Sequence, residues 1–470
     1  MKLVGRAHEQ DVLTRCLASG ESEFIAVYGR RRVGKTFLIR QFFNNSFTFY
    51  ATGLADSPMR DQLRVFQQAL EEYGGRKLPP IKTWLDAFQE LIDLLKRSIG
   101  VGKHVIFLDE LPWFDTPRSG FVAGLEHFWN SYASARDDII LIACGSATNW
   151  MITRLLQNRR GLHNRVTRRI SIQPFTLAEC EEFYRSQGIV MSRYQMVESY
   201  MVLGGIPYYL RQLDPRLSLA QNIDALCFSD DAPLKQEYRI LFSSLFQNSE
   251  RHQRIVEALA TKASGLTREE ILQTTHLPDG GTASKALAEL EESGFVRRVS
   301  SFGAVKKGGL YQLADPFVLF HLTFMARPRD VGFWTRFSVT PQHNAWAGLA
   351  FEQVCASHLP QIKQGLGISG ISTTASSWRT KPGASPGAQI DMVIDRADGC
   401  VNLCEMKFSA TEYAITSQYA ATLTNRRELF RSQTGTRKAL YLTMVTPYGL
   451  TPNEYSGTIQ QSLTLDQLFG

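Results

Sequence analysis

Residues 24–37, with the sequence FIAVYGRRRVGKTF, constrain the fold of this chain more than any other stretch. Five mostly apolar, β-prone residues run directly into GRRRVGKT, which fits G-x-x-x-x-G-K-[ST], and an amphipathic stretch follows. This context predicts a strand, a phosphate-binding loop and a helix, with backbone N–H groups and the helix dipole directed at the phosphates. The loop residues expected to contact the nucleotide are Gly29, Arg30, Arg31, Arg32, Val33, Gly34, Lys35 and Thr36.

Two side chains of this loop are expected to act on ATP. Lys35 would reach the β- and γ-phosphates, and the hydroxyl of Thr36 would ligate Mg²⁺. The alternative is a glycine-rich turn that binds nothing, but the strand and the helix that the motif requires are both present. The sequence therefore predicts an ATP-binding P-loop core.

A second buried strand ends in two acids. Residues 104–110 read HVIFLDE, and such a strand delivers carboxylates to the carboxyl edge of a parallel sheet. Asp109 is expected to hold the Mg²⁺ through water, and Glu110 to orient the attacking water as a catalytic residue. Residues 139–146, IILIACGS, form another apolar strand, so Ser146 is a candidate sensor of the γ-phosphate. An acidic turn without catalytic function is the alternative reading of HVIFLDE alone.

Three arginines, Arg165, Arg168 and Arg169, precede the strand-like residues 170–172. In an ATPase that works as a homo-oligomer, one of them would serve as an arginine finger. A solvated basic turn is the alternative, and the pattern does not choose between the two.

The order of GRRRVGKT, FLDE, a strand ending in GS, and GGIPYYL resembles the archaeal-type ATPases of prokaryotes, a branch of the AAA+/STAND group. The resemblance covers about the first half of the chain. It implies that GGIPYYL belongs to a small helical lid and that Gly5 and Arg6 pack near the adenine.

Residues 250–313 change character. Helical patterns at 251–261, 267–275 and 281–293 precede a hairpin, which predicts a winged helix-turn-helix. Lys306 and Lys307 would place the wing near DNA phosphates. The third helix offers one lysine but three glutamates, a poor face for a polyanion, so a structural or protein-contact role stays open.

The last part of the chain carries a second set of candidate catalytic residues. Glu352 lies in a helical pattern at 347–358, Asp391 in the strand pattern QIDMVID, and Glu405 and Lys407 in the strand pattern VNLCEMK. Alternation along two strands joined by a turn allows these carboxylates to converge. Carboxylates that hold Mg²⁺ beside an ammonium group are what phosphodiester hydrolysis requires.

This order of helix-Glu, Asp and Glu-x-Lys resembles the PD-(D/E)xK nuclease fold, although Ile390 stands where that fold often has proline. The resemblance implies that Glu352, Asp391 and Glu405 ligate Mg²⁺ or Mn²⁺ and that Lys407 is a catalytic lysine. It makes Gln418, on a helix predicted at 411–430, a weaker auxiliary candidate. A surface Glu-x-Lys on an edge strand is the common alternative.

Length and composition set the remaining limits. A chain of 470 residues is too long for one ordinary core, and we place an ATPase core at 1–173, a helical lid at 174–245, a winged helix-turn-helix at 246–330 and a restriction-endonuclease-like α/β domain at 340–470. The net charge of +7 permits contact with nucleic acid. Scattered cysteines, an N-terminus without a signal-peptide core, and no long apolar run predict a reduced, cytoplasmic protein without a membrane segment.

Three functions are consistent with these motifs. The preferred hypothesis is an ATP-regulated, Mg²⁺-dependent DNA nuclease. The second is a signalling or defence-type ATPase switch whose C-terminal domain binds nucleic acid or protein without cleaving it. The third, a DNA-binding regulator acting through the winged helix, needs a more basic third helix.

Overall fold

The computed structural model describes residues 2–98, 102–156, 164–246, 248–303, 309–380 and 388–470. The chain divides into two compact units, Met1–Pro174 and Phe175–Gly470. Lys306 and Lys307, which the sequence predicts on the hairpin, lie outside the described residues. Within those ranges, no helix is long and apolar enough to cross a lipid bilayer.

The first unit is built on a parallel sheet of five strands. They are β1 (Glu23–Tyr28), β2 (Phe49–Thr52), β3 (His104–Asp109), β4 (Ile139–Gly145) and β5 (Arg168–Ser171). The strand order is β2-β3-β4-β1-β5, and every neighbouring pair is parallel. All residues of β3 and β4 are buried, as expected for a parallel sheet covered on both faces. The carboxyl ends of β1, β3 and β4 therefore meet at one edge.

Helices and an aromatic core support this sheet. The helices are Ala7–Ala18, Lys35–Phe42, Met59–Gly74, Trp84–Arg97, Phe121–Ser131 and Thr148–Trp150. Trp84 is 1% exposed and packs edge-on against Phe121 and Phe66, with ring centroids 4.8 and 5.4 Å apart. Burial of such large rings supplies most of the stabilisation on this side of the sheet.

The second unit begins with two groups of helices. The first group is Leu177–Ser186, Arg193–Leu203, Pro207–Leu210, Leu219–Ile223 and Glu237–Leu245. The second group is Ser249–Ala260, Arg268–Thr275 and Gly281–Glu292, close to the three helices predicted from the sequence. Capping boxes at Thr176, Ser192 and Thr267 fix the start of three of these helices.

An antiparallel hairpin follows, formed by β6 (Val296–Val299) and β7 (Leu310–Leu313). The chain after β6 is also joined to the C-terminal sheet, because Phe302 N–H donates to Ser377 and Ser377 N–H donates to Ser300 over 3.0 and 3.1 Å. The hairpin is thus not a free wing. It lies edge to edge with the sheet that carries the second candidate site.

The C-terminal sheet has five strands in the order β12-β11-β10-β9-β8. They are β8 (Thr373–Arg379), β9 (Gln389–Arg396), β10 (Cys400–Met406), β11 (Ala439–Val445) and β12 (Gln461–Leu463). β9 is antiparallel to β8 and β10, whereas β10, β11 and β12 are parallel. The remaining helices of this unit are Pro316–Phe320, Phe333–Phe337, Pro341–Ser357, Leu359–Gly365, Ser417–Thr434 and Leu465–Phe469.

Candidate functional site

The P-loop lies between β1 and the helix Lys35–Phe42, as the motif predicts. Gly34 has a φ of 92° immediately before that helix, a backbone conformation that favours glycine. At Gly29 a Cβ would lie 2.3 Å from the carbonyl oxygen of Ile172, so a larger residue would collide with backbone. Both glycines are therefore needed for the local shape of the loop.

Lys35 is buried, with 5% of its surface exposed, and its ammonium lies inside the loop. Its Nζ donates hydrogen bonds to the carbonyl oxygens of Gly29 and Arg30, both over 2.9 Å. Burial lowers the pKa of Lys35, while the nearby Asp109 and Glu110 act in the opposite direction and favour the charged form. The positive charge is thus held where the loop would surround a phosphate.

Thr36 and Asp109 meet at the carboxyl edge of the sheet. Thr36 Oγ1 donates to Asp109 Oδ2 over 2.9 Å, and the N–H of Glu110 donates to Asp109 Oδ1 over 3.0 Å. Burial raises the pKa of Asp109. A hydroxyl beside a buried carboxylate is a hard-oxygen pair of the kind that binds Mg²⁺ next to a nucleotide.

Glu110 and Ser146 are linked across the ends of β3 and β4. Ser146 Oγ donates to Glu110 Oε1 over 2.8 Å. Glu110 has a left-handed backbone, with φ 45° and ψ 45°, which is unusual for a residue with a side chain and marks local strain. The P-loop helix and the ends of β3 and β4 bring together the five side chains that the sequence predicts here, Lys35, Thr36, Asp109, Glu110 and Ser146.

The second set of predicted residues converges in the other unit. The N–H of Met406 donates to Asp391 Oδ2 over 3.0 Å, which holds the Asp391 carboxylate at β10, next to Glu405. Glu405 is 2% exposed, and the charge of Asp391 is among the causes that raise its pKa. Asp391 and Glu405 thus lie on the same side of their sheet.

Glu352, on the helix Pro341–Ser357, interacts electrostatically with this pair. Burial, followed by the charge of Asp391, raises the pKa of Glu352 to about 8, and Lys407 opposes the shift. Burial and Asp391 raise the pKa of Glu405 to about 7, and burial raises that of Asp391. Burial and neighbouring carboxyl groups disfavour the ionised forms of Glu352 and Glu405, and a nearby positive charge favours them.

Two cations already contact Glu405. Arg426 Nη1, from the helix Ser417–Thr434, donates to Glu405 Oε2 over 2.6 Å, and Lys407 Nζ lies 3.9 Å from the same oxygen. The hydroxyl of Tyr419 also donates to Oε2, over 3.2 Å. Glu405 Oε1, in contrast, is buried and has no hydrogen-bond partner in the described part of the chain. In the described ranges, no group of three or more His, Cys, Asp or Glu side chains is arranged to hold a metal ion.

Residues 3–213 match a family described as an ATPase domain predominantly from Archaea. The match supports a P-loop ATPase core in this part of the chain. It bears out the predicted ATP binding and ATPase function, and the parallel five-stranded sheet agrees with it.

Other proteins resemble the chain over a larger span than this ATPase domain. A Walker-type ATPase of Pyrococcus abyssi has a similar fold, with 18% identity, a TM-score of 0.50, and coverage of 68% of this chain and 96% of that one. The ORC2 protein of Aeropyrum pernix is a weaker structural match, with 15% identity, a TM-score of 0.43, and coverage of 68% and 93%. An uncharacterized protein of Methanocaldococcus jannaschii is 24% identical over 366 residues, which are 77% of this chain and 78% of that protein.

Contacts that the sequence did not indicate hold the ATPase domain's loop in place. Arg6 is buried and its Nη2 donates to the carbonyl oxygen of Val33 over 3.0 Å, so the N-terminal Gly-Arg pair supports the P-loop backbone.

Arg168, one of three candidate arginine fingers, lies 3.3 Å from Glu23 at the start of β1, which is the end of that strand remote from the loop.

In the C-terminal sheet, two residues near the acids differ from the expectation. Gln418 is exposed, and the following residue, Tyr419, is the one whose hydroxyl reaches Glu405. Arg297, on β6, contributes charge at Glu352 although its position on a hairpin gave no signal of this. A long-range bridge between the chain after β6 and Ser377 on β8 lies close by in the sequence.

Proposed function

We propose that this chain is an ATP-regulated nuclease in which the ATPase domain controls a metal-dependent site in the second unit. The observation that supports the second site is the convergence of Glu352, Asp391 and Glu405 with Lys407 on one side of the C-terminal sheet. Buried acids with raised pKa values are uncommon outside sites that bind a cation or move a proton.

The donor set fits Mg²⁺ or Mn²⁺. Glu405 Oε1 is a buried carboxylate oxygen without a partner, and Mg²⁺ is usually held by one or two protein carboxylates together with phosphate oxygens and water. Asp391 and Glu405 would hold the ion, with Glu352 next to them. When bound, such an ion polarises a phosphodiester and acidifies a water.

The protein's own side chains have separate roles in this proposal. The Met406 N–H fixes the orientation of Asp391. Lys407, 32% exposed, carries a positive charge next to Glu405 and would stabilise the charge that develops on a phosphodiester. Arg426 neutralises Glu405 and limits the repulsion among the acids.

In the ATPase domain, Lys35 would bind the phosphates, Thr36 and Asp109 would hold Mg²⁺, and Glu110 would orient the attacking water. Ser146, hydrogen-bonded to the Glu110 carboxylate, is suited to report the γ-phosphate to it. Regulation by ATP is tested directly. Adding ATP or a non-hydrolysable analogue should change the rate of DNA cleavage in wild-type protein and not in Lys35→Ala.

The nuclease test uses purified full-length protein with plasmid and single-stranded DNA in Mg²⁺ or Mn²⁺. Cleavage should disappear in Asp391→Asn and in Lys407→Met. Matched controls are Asp395→Asn and Lys438→Met. Asp395 lies on the same strand as Asp391, and its carboxylate forms an ion pair of 2.5 Å with Lys438 instead of facing the other acids. Equal loss in the test and control pairs, or no cleavage by the wild type in either metal, would reject the nuclease.

One observation favours the second candidate, a switch that binds nucleic acid or protein without cutting it. Arg426 already forms an ion pair with Glu405, so the site is partly neutralised by the chain itself. Tight binding of DNA with no product in either metal, together with normal ATP turnover, is the result that this alternative expects.

A further inference from the structure

A cleft of about 210 Å³ lies within the second unit, between the hairpin β6–β7 and the C-terminal sheet. Its lining includes two of the converging acids, Glu352 and Asp391, and residues of β8 and β9. The cleft exists because the chain after β6 is hydrogen-bonded to Ser377 on β8, so the hairpin forms one of its walls.

The charges around the cleft favour an anionic ligand. Three arginines line it, Arg297, Arg298 and Arg379, against the carboxyl groups of Glu352 and Asp391. Even with both carboxyl groups ionised, the three guanidinium charges outnumber the two carboxylate charges. Among the described residues, the lining is therefore net positive.

Arg297 is the arginine of this set that reaches the acids. Its Nε donates to Gln312 over 3.1 Å and its Nη2 to Gln353 over 2.6 Å, so both partners are neutral amides. Within the described chain no carboxylate is in ion-pair contact with Arg297, and Nη1 has no hydrogen-bond partner. Burial lowers the pKa of Arg297 to about 10, which leaves it charged at neutral pH.

A second polar group in the cleft lacks a partner. Ser376, on β8, is 6% exposed, and its hydroxyl has no hydrogen-bond partner among the residues that the structure describes. A buried hydroxyl without a partner and a guanidinium held only by amides both line this cleft. An unsatisfied buried polar group is costly, so the Ser376 hydroxyl in a cleft that Arg297 also lines favours a polar ligand there.

We propose that Arg297 binds a phosphate of the nucleic-acid backbone in this cleft and positions the strand against Glu352 and Asp391. This inference rests on the proposed nuclease function and deepens it, since it assigns the hairpin strand, rather than the acidic third helix of the predicted winged helix, to the substrate. A planar guanidinium with two fixed amide partners presents its free edge in one orientation, which suits a phosphodiester. Arg297 is a positioning residue in this role.

The test measures binding without cleavage. Fluorescence anisotropy of a fluorescein-labelled single-stranded DNA oligonucleotide is recorded in EDTA. KCl is varied from about 50 to about 200 mM so that the salt dependence of binding can be measured. Arg297→Gln should weaken binding about tenfold, the effect of one charge-assisted contact. It should also reduce the slope of log K against log salt by roughly 0.7, the contribution of one single-strand phosphate.

Three variants separate a phosphate contact from a structural one. Arg297→Lys should keep the salt slope and lose part of the affinity, because the charge remains and the planar donor edge does not. Gln353→Ala removes one bond to Arg297 but keeps its charge, so the slope should stay wild-type. Arg216→Gln, an exposed arginine paired with Asp214 in the same unit, is the control that should change nothing.

The inference is overturned if Arg297→Gln binds with wild-type affinity and slope, if Gln353→Ala loses the same slope, or if the wild type does not bind DNA. These outcomes are distinct from failure of the nuclease. Loss of the slope in Arg297→Gln with no cleavage by the wild type in Mn²⁺ keeps the phosphate contact and rejects catalysis. A wild-type salt slope in Arg297→Gln, together with DNA cleavage by the wild type, rejects the phosphate contact and keeps catalysis.

Discussion

The backbone N–H of Met406 donates a hydrogen bond to Asp391 Oδ2 over 3.0 Å, from one strand of an antiparallel pair to the next. This bond holds the Asp391 carboxylate at Met406, the residue after Glu405. Burial, followed by the charge of Asp391, raises the pKa of Glu405. The arrangement has a stability cost that a bound cation would remove, and it makes the second site testable without any DNA.

The first prediction concerns that cost. The pKa of Glu352 is about 8 in the folded protein against an ordinary value of 4.5, so between these values the folded state binds more protons than the unfolded state. The free energy of unfolding should therefore fall as pH rises through this window. Thermal unfolding in EDTA should show the unfolding temperature decreasing with pH, and Glu352→Gln should flatten the slope. An identical slope in both proteins would contradict the assignment.

Added metal should act in the opposite direction. Because metal ions bind the deprotonated carboxylates, Mn²⁺ should raise the unfolding temperature more at pH 8 than at pH 6. At 100 times its dissociation constant the stabilisation is about 2.7 kcal/mol. The measurement is the same thermal scan with and without Mn²⁺, and Asp391→Asn should lose the metal-dependent part while Asp395→Asn keeps it.

The ion pair between Arg426 and Glu405 gives the next prediction. Arg426→Gln leaves Glu405 buried with its main counter-charge gone, which should destabilise the metal-free protein by about 2 kcal/mol. The effect is below the range for a fully buried pair because Arg426 is 24% exposed. Denaturant unfolding measures it. Mn²⁺ should then stabilise this variant more than the wild type, and equal stabilisation of both would show that no ion reaches Glu405.

The ATPase domain is tested independently of the C-terminal sheet. Lys35→Ala should lower ATP turnover at least about 100-fold and weaken nucleotide binding, since it removes the charge inside the P-loop. Glu110→Gln should lower turnover to a similar degree but keep binding. Steady-state phosphate release and binding of a fluorescent ATP analogue distinguish the two. Turnover unchanged in both variants would remove these residues from the site.

The substitution Ser146→Ala should lower ATP turnover less than Lys35→Ala or Glu110→Gln does. Its hydroxyl donates to the Glu110 carboxylate, so Ser146→Ala frees that carboxylate without removing it. We expect turnover to fall about tenfold, within the range of one hydrogen bond to a charged group. A loss as large as that of Glu110→Gln would place Ser146 in direct contact with the reacting phosphate instead.

The sequence predicts local features of both sites well. A strand signal precedes GRRRVGKT and a helix signal follows it, and HVIFLDE is itself a strand signal. The P-loop and the acidic strand end could therefore be placed from residues 24–37 and 104–110. The helices before the hairpin were also predicted, because periodicity and capping residues are local. Alternation along the two strands also allowed the carboxylates of Asp391 and Glu405 to converge.

Long-range pairing could not be predicted in the same way. Strand β8 was missed, and with it the contact between Ser377 and the chain after β6. Arg297 therefore looked like an ordinary hairpin residue, and the wall of the cleft could not be foreseen. Glu405 was expected as a free metal ligand, but its pairing with Arg426 depends on how the helix Ser417–Thr434 packs on the sheet.

The most direct test of two phosphate-handling centres in one chain is a crossed assay on the same protein preparations. ATP turnover and Mn²⁺-dependent DNA cleavage are both measured for wild type, Lys35→Ala and Asp391→Asn. We predict that Asp391→Asn loses cleavage and retains ATP turnover within about twofold, while Lys35→Ala loses turnover and any effect of ATP on cleavage. Wild-type protein that turns over ATP but cuts no DNA, or a cleavage activity that survives in Asp391→Asn, would contradict it.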